Sequence, residues 1–353
     1  PYTEQQIGNT KVLDFAQDTN GISYINFYFD LKGVSEKNLK NLDLLTTTLK
    51  KTDAGDLSFK DVTQQIDTYI GGLSFYATTY ESIKNPNQYR PTMHVSMKFL
   101  DPNKDKAFEL LKTVVVDTKF TPENRVNDLI SELKTQMASS VSYRAPMLSR
   151  LAAMKSFRPE KGAFLDETSG AVYENYVLNT DFKAKELIPQ LRELLAQVFN
   201  QNRLYLVSVT ATKDNLVPLK NSITQLKESL PKEAGKVDQT WSFANQKDYD
   251  GFAIPGEVQY VAQVASYENT DLKYNGAMHV CTRYLNNNYM TPRLREQAGA
   301  YGGGSSFSRY GQYTMSTYRD PNLKRSFEIF DKSVYFMDKE ALTTDKLLPA
   351  ILG

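Results

Sequence analysis

Residues 294–328 begin Leu294-Arg-Glu-Gln-Ala-Gly-Ala-Tyr301-Gly-Gly-Gly304-Ser-Ser-Phe307 and run on through Asp320-Pro-Asn322 to Phe327-Glu328. Much of this stretch echoes an earlier one. Gly303-Gly304-Ser305-Ser306-Phe307 matches Gly71-Gly72-Leu73-Ser74-Phe75. Asp320-Pro321-Asn322 with Phe327-Glu328 matches Asp101-Pro102-Asn103 with Phe108-Glu109, at the same spacing. A repeat of this length predicts two similar domains in tandem.

The flanking patterns give those domains a common plan. Residues 22–31 alternate, with Ile25, Phe27, Phe29 and Leu31 on one face and Tyr24, Asn26, Tyr28 and Asp30 on the other, which predicts a half-buried strand. Ser35 is the expected cap of a helix carrying Leu39, Leu42, Leu45 and Leu49 on one stripe. Ser58 with Asp61 predicts another helix, ended by Gly71-Gly72. Strands are expected near 73–80 and 91–99, then a helix from Asp101-Pro102 to about Asp117; both copies of Asp-Pro-Asn read as a turn and helix start, with Asp as cap and Pro in the first turn. Residues 121–200 read as mostly helical, with Thr121 as cap and Pro122 at the first helical position. A strand at 203–210 and a helix at 214–230 follow.

The second copy is shorter. It predicts a strand over 257–267, a helix over 271–297, strands over 301–308 and 312–319 around a turn at Tyr310-Gly311, and a helix over 322–338. The shared order of strand, helix, strand, strand, helix gives an α+β class: two tandem homologous domains, each a mostly antiparallel sheet with helices packed on one face. The linker Pro231-Lys-Glu-Ala-Gly235 divides the chain into domains at 1–235 and 236–353. The second is expected to be truncated at its C-terminal end, because nothing in it answers the long helical region 121–230.

Bulk properties narrow the function. The 353 residues exceed what one core usually supports. The chain is 41% hydrophobic and 24% charged with net charge +1, so neither a nucleic-acid nor a membrane partner is expected. A single cysteine, Cys281, fits a reducing compartment, and a cytoplasmic location is expected. There are two histidines, His94 and His279. Neither His-x-x-Glu-His nor His-Glu-x-x-His occurs, and both histidines, His94 on the polar face of a strand and His279 in a helix, are expected to be structural. Gly302-Gly303-Gly304 lacks the Gly-Lys-Ser/Thr of a phosphate loop and leads into a strand, so nucleotide binding fails. Close backbone packing and close approach of a substrate backbone both remain open for these glycines. Taken alone, Arg295 reads as a helix-end cation and Tyr301 as strand filler.

The run Leu294–Gly304, with Thr317-Tyr-Arg-Asp-Pro-Asn322 after it, resembles the C-terminal half of the pitrilysin/insulinase-type zinc metallopeptidases. It is most similar to their presequence-protease branch, whose members degrade unfolded peptides. Thr19-Asn-Gly-Ile-Ser-Tyr24 before Phe29-Asp30, and Phe157-Arg158-Pro159-x-x-Gly162, share the resemblance. It implies a clamshell of two homologous halves, with zinc bound by the N-terminal half, which is absent from this chain, and no metal bound here. It also implies that an arginine and a tyrosine reach across the closed chamber to substrate. The matching positions are Arg295 and Tyr301, expected as catalytic residues, with Gly302, Gly303 and Gly304 as substrate-binding residues. The expected partners are unfolded peptides and the N-terminal half of the same chain, and the fragment alone is expected to be inactive. The rival expectation is a non-catalytic subunit that holds peptides or a partner chain.

Overall fold

The computed structural model describes residues 1–85, 88–232, 241–243, 249–268 and 270–353. Two separate sheets organise them. The first contains β1 (Thr3–Ile7), β2 (Thr10–Ala16), β3 (Ile22–Asp30), β4 (Gly72–Glu81), β5 (Tyr89–Leu100) and β6 (Leu204–Ala211), in the order β1-β2-β6-β3-β5-β4. All pairings are antiparallel except β2 with β6. The alternation read from the sequence sets which face is buried. Ile25, Phe27 and Phe29 on β3, and Met93, Val95, Met97 and Phe99 on β5, all point into one core.

Among the described residues, eight α-helices accompany this sheet: α1 (Leu42–Thr48), α2 (Phe59–Tyr69), α3 (Lys104–Val116), α4 (Glu123–Met154), α5 (Pro159–Ser169), α6 (Ala171–Asn179), α7 (Ala184–Val198) and α8 (Leu216–Ser229). Three of the expected caps differ. A tight turn over Glu36–Asn41 precedes α1, and the Ser35 side chain makes no capping bond. Pro122 itself occupies the cap position of α4, while the Thr121 hydroxyl donates to Asp53 Oδ2 at 2.9 Å. Asp101 does not cap either. Its carboxylate accepts from Ser23 Oγ and Asn215 Nδ2, each at 2.6 Å, and so ties three separated segments together. Ser58 does cap α2, accepting the Asp61 N–H.

The second sheet has the order β7-β9-β8, built from β7 (Ala262–Ser266), β8 (Gly302–Phe307) and β9 (Gln312–Tyr318), all antiparallel. This is the β3-β5-β4 order of the first sheet repeated, as the sequence echo predicts. Its helix α9 (Gly276–Leu285) starts later than the pattern suggested, capped by Asn275 Oδ1 on the Ala277 N–H at 2.9 Å. The helical path then widens to i→i+5 turns over Asn286–Met290 and Pro292–Gln297. Next come α10 (Lys324–Lys339) and α11 (Thr344–Leu352). Leu285, Met290, Leu294, Met315, Ile329 and Phe330 form a second, smaller core. In this copy Asp320 serves the turn as expected, accepting from the Asn322 N–H at 2.8 Å and Ser326 Oγ at 2.5 Å.

The first unit also touches the second sheet. Helix α4 packs against β7 and β9. The buried Arg158 donates to Glu268 Oε2 and to the Tyr310 carbonyl, both at 2.5 Å, and so reaches the turn side of the β8–β9 hairpin. Of the linker 231–235, residues 233–235 lie outside the described residues. Among the described residues no helix is long and apolar enough to cross a membrane.

Candidate functional site

Arg295 and Tyr301 sit on either side of the junction between the widened helix and β8. Gly299 makes that junction possible. Its φ of +81° is left-handed, a conformation open to glycine at a helix end. The Gly299 N–H donates to the Arg295 carbonyl at 3.1 Å, and the Ala300 N–H donates to the Leu294 carbonyl at 2.9 Å. These bonds close the wide last turn and reverse the chain. The reversal places the Arg295 guanidinium 5.7 Å from the centre of the Tyr301 ring, a cation–π contact.

Both polar tips remain available. Tyr301 is 66% exposed. Among the described residues, neither its hydroxyl nor the Arg295 guanidinium has a hydrogen-bond or ion-pair partner. The ring stands edge-on to Tyr318, centroids 5.9 Å apart, and Tyr318 stands edge-on to Tyr260 at 5.4 Å. Aromatic packing therefore holds the Tyr301 ring while leaving its hydroxyl in solvent.

The three glycines differ from one another. A Cβ on Gly303 would lie 2.6 Å from Leu294 Cδ1 and 3.0 Å from the Ser316 carbonyl oxygen. One on Gly304 would lie 3.0 Å from Asn286 Oδ1. One on Gly302 would meet nothing within 4 Å. Packing thus disfavours a side chain at 303, and one at 304 fits where the Asn286 side chain shifts by a few tenths of an ångström.

Strand β8 is the outer strand of its sheet, and its free edge is partly occupied. Asn286 accepts the Ser305 N–H at 2.7 Å and donates to the Ser305 carbonyl at 2.9 Å, as a neighbouring strand would. Ladder alternation turns the Gly303 N–H and carbonyl toward the same edge.

Residues 1–178, just over half of the chain, match the family described as associated with M16 peptidases of subfamily C. This chain belongs to that family. Residues 249–353 match the PreP C-terminal domain, so this M16-associated chain corresponds to the C-terminal half of an M16 peptidase. It is 27% identical over 344 residues to protein HypA of Clostridium perfringens, covering 97% of this chain and 35% of HypA. It is 25% identical over 354 residues to the chloroplastic/mitochondrial presequence protease 1 of Arabidopsis thaliana, covering 98% of this chain and 32% of that protein. The chain therefore spans about a third of the length of the curated relatives it matches. Its fold is similar to that of the peptidase M16 inactive domain from Pseudomonas fluorescens, with TM-score 0.63, 15% identity, and coverage of 99% of this chain and 82% of that one.

The histidines of this M16-associated chain do not suit a metal. His94 Nδ1 faces the hydroxyls of Tyr76 at 2.5 Å and Tyr80 at 2.7 Å, and Nε2 faces Asn26 Oδ1 at 2.9 Å. Its ring stacks on Tyr28 at 4.5 Å, and burial pushes its pKa down from the usual value. The polar-face strand position read from the sequence is therefore a buried one, because Tyr28, Tyr76 and Tyr80 gather over it. His279 Nε2 is engaged by the Tyr274 hydroxyl. Among the described residues no three His, Cys, Asp or Glu side chains converge as a metal site would require.

Sequence reasoning overlooked Asn286, Tyr318 and Arg150 as members of this region. Tyr318 was in view within the Thr317–Asn322 run, but its role depends on a pairing across the hairpin. Arg150 belongs to α4 and lines a cleft with residues 303–306 of β8, more than 150 positions later, and no local pattern connects the two.

Proposed function

We propose that this chain is the non-zinc-binding half of a zinc metalloendopeptidase that degrades unfolded peptides, and that it supplies Arg295 and Tyr301 to a catalytic site whose metal is held by an N-terminal half. The observation that carries this reading is the Arg295–Tyr301 pair. Both residues are anchored by backbone and ring contacts, and both present unused donors to solvent. The assignment to an M16 peptidase and the relatives named presequence protease supply the reaction class.

In this reading the Tyr301 phenol donates a hydrogen bond to the oxyanion that forms on the scissile carbonyl. Its proton stays on the phenol oxygen, so the group acts by stabilising charge. The Arg295 guanidinium presents forked donors to a neighbouring substrate carbonyl, and its planar cation suits that role better than an ammonium would. Gly302, Gly303 and Gly304 form the substrate-binding strand. An extended peptide pairs with the open edge at Gly303, and Asn286 ends that pairing at Ser305. Domains at 1–235 and 236–353 act as one wall of a chamber that closes around the peptide.

The test is peptide cleavage by the full-length protein and its Tyr301→Phe variant. Turnover reduced about a hundredfold with normal folding supports the role given to Tyr301. Absence of cleavage by the wild-type protein, with peptides still bound, would instead identify a non-catalytic peptide-holding subunit.

A further inference from the structure

We infer that the cleft between α4 and the β8–β9 hairpin is a carboxylate-binding subsite for the peptide, with Arg150 as its cation. The inference rests on the peptidase reading and adds a specificity residue to it. The cleft has a volume of about 270 Å³ and is bounded by Pro146 and Arg150 on α4 and by residues 303–306 and 316–318 on the hairpin. Among the described residues, none that lines it is acidic.

Arg150 is exposed and has no hydrogen-bond or ion-pair partner among the described residues. The hydroxyls of Ser306, Ser316 and Tyr318 likewise lack partners there. By contrast, Ser305 donates to Asn286, and Thr317 accepts the Val261 N–H. One unpaired guanidinium and three uncommitted hydroxyls around an acid-free cleft offer donors to an anion with two oxygens. A carboxylate fits that set, because a guanidinium meets it with two parallel bonds.

Position links the cleft to the reaction. Tyr318 forms part of its wall and also carries the edge contact to Tyr301. The lining residues of β8 lie two to five positions beyond Tyr301. At about 3.3 Å per residue, that is roughly 7–17 Å along an extended peptide. The carboxylate bound here therefore belongs to a residue a few positions from the scissile bond. It comes either from an Asp or Glu side chain or from the peptide's own C-terminus.

The experiment uses the full-length protein and matched peptides: internal Glu against Gln, and free C-terminal acid against amide. The ratio of kcat/KM within each pair is read, and affinity is measured separately by fluorescence anisotropy. For the wild type we expect the carboxylate member to be favoured about tenfold, the scale of one charge-assisted hydrogen bond. The pair that shows the preference identifies the source. Arg150→Gln brings that ratio to about one, and Arg150→Glu inverts it toward a Lys-bearing peptide. Wild-type ratios near one, or an Arg150→Gln variant that keeps the wild-type preference or lowers both members equally, would overturn the subsite. If the wild type cleaves neither member, the peptidase reading fails by itself, and the anisotropy pairs still decide whether Arg150 selects a carboxylate.

Discussion

The Arg295 guanidinium lies over the Tyr301 ring at 5.7 Å, although Arg295 belongs to the widened helix and Tyr301 to the bend just before β8. Gly299 connects them through a left-handed turn, and neither polar tip is consumed in the contact. The pair is thus held in shape without being neutralised, which suits groups that bind something else.

Tyr301→Phe should lower kcat of the full-length enzyme about a hundredfold, leaving thermal unfolding unchanged. Arg295→Ala should raise KM and lower kcat together, since it removes contacts made both before and in the transition state. Steady-state kinetics on one fluorogenic peptide separates the two effects. Near-normal cleavage by the double variant would remove the pair from the mechanism.

Gly303→Ala and Gly302→Ala should differ in stability. The first forces a methyl against Leu294 and the Ser316 carbonyl, an overpacking that costs roughly 1–3 kcal/mol. The second places its methyl in open space. Urea unfolding of the two variants measures the difference. Equal stability would show that the Leu294 contact relaxes freely.

Arg158 and Glu268 make a largely buried pair between α5's start and the second sheet. Removing one partner, as in Arg158→Met, should destabilise the fold by less than the roughly 3–5 kcal/mol of an uncompensated buried charge, because Lys161 still attracts Glu268. The double variant with Glu268→Gln should recover part of that loss. A double-mutant cycle in urea reads the coupling, and additive single effects would mean that the pair is not coupled.

The pH dependence of stability should carry a contribution from His94. Burial lowers its folded-state pKa below the unfolded value of 6.5, so the unfolded chain binds the extra proton first. Its contribution is fully present above that value and is lost as pH falls through it toward the folded pKa. His94→Gln should therefore lose less stability than the wild type on acidification below about pH 6.5. Parallel stability curves for the two proteins would contradict the assignment.

Metal analysis of the purified chain in low-metal buffer should find no stoichiometric zinc. One tightly held ion per chain would reveal a site that neither histidine accounts for.

Much of the fold was legible because strands and helices write their periods into neighbouring residues. Ile25, Phe27 and Phe29 alternate with Asn26 and Tyr28, and the structure buries the first set together. The repeated Gly-Gly and Asp-Pro-Asn signatures announced two sheets of one plan, and β3-β5-β4 and β7-β9-β8 share it. Caps were less legible. Ser35, Thr121 and Asp101 carry suitable oxygens, but partners distant in sequence claim those of Thr121 and Asp101, and Ser35 makes no capping bond.

By itself, then, the sequence determined which faces are apolar, where the chain turns, and that Arg295 and Tyr301 flank a glycine at the end of a helix. Tertiary structure alone decided what those faces meet. It buried His94 beneath tyrosines drawn from β3 and β4, set Leu294 against Gly303, and brought Arg150 of α4 across from β8. The physical reason is the range of the interactions. Periodicity and turn chemistry act over a few residues, whereas a cleft is made by side chains that only long-range packing brings together.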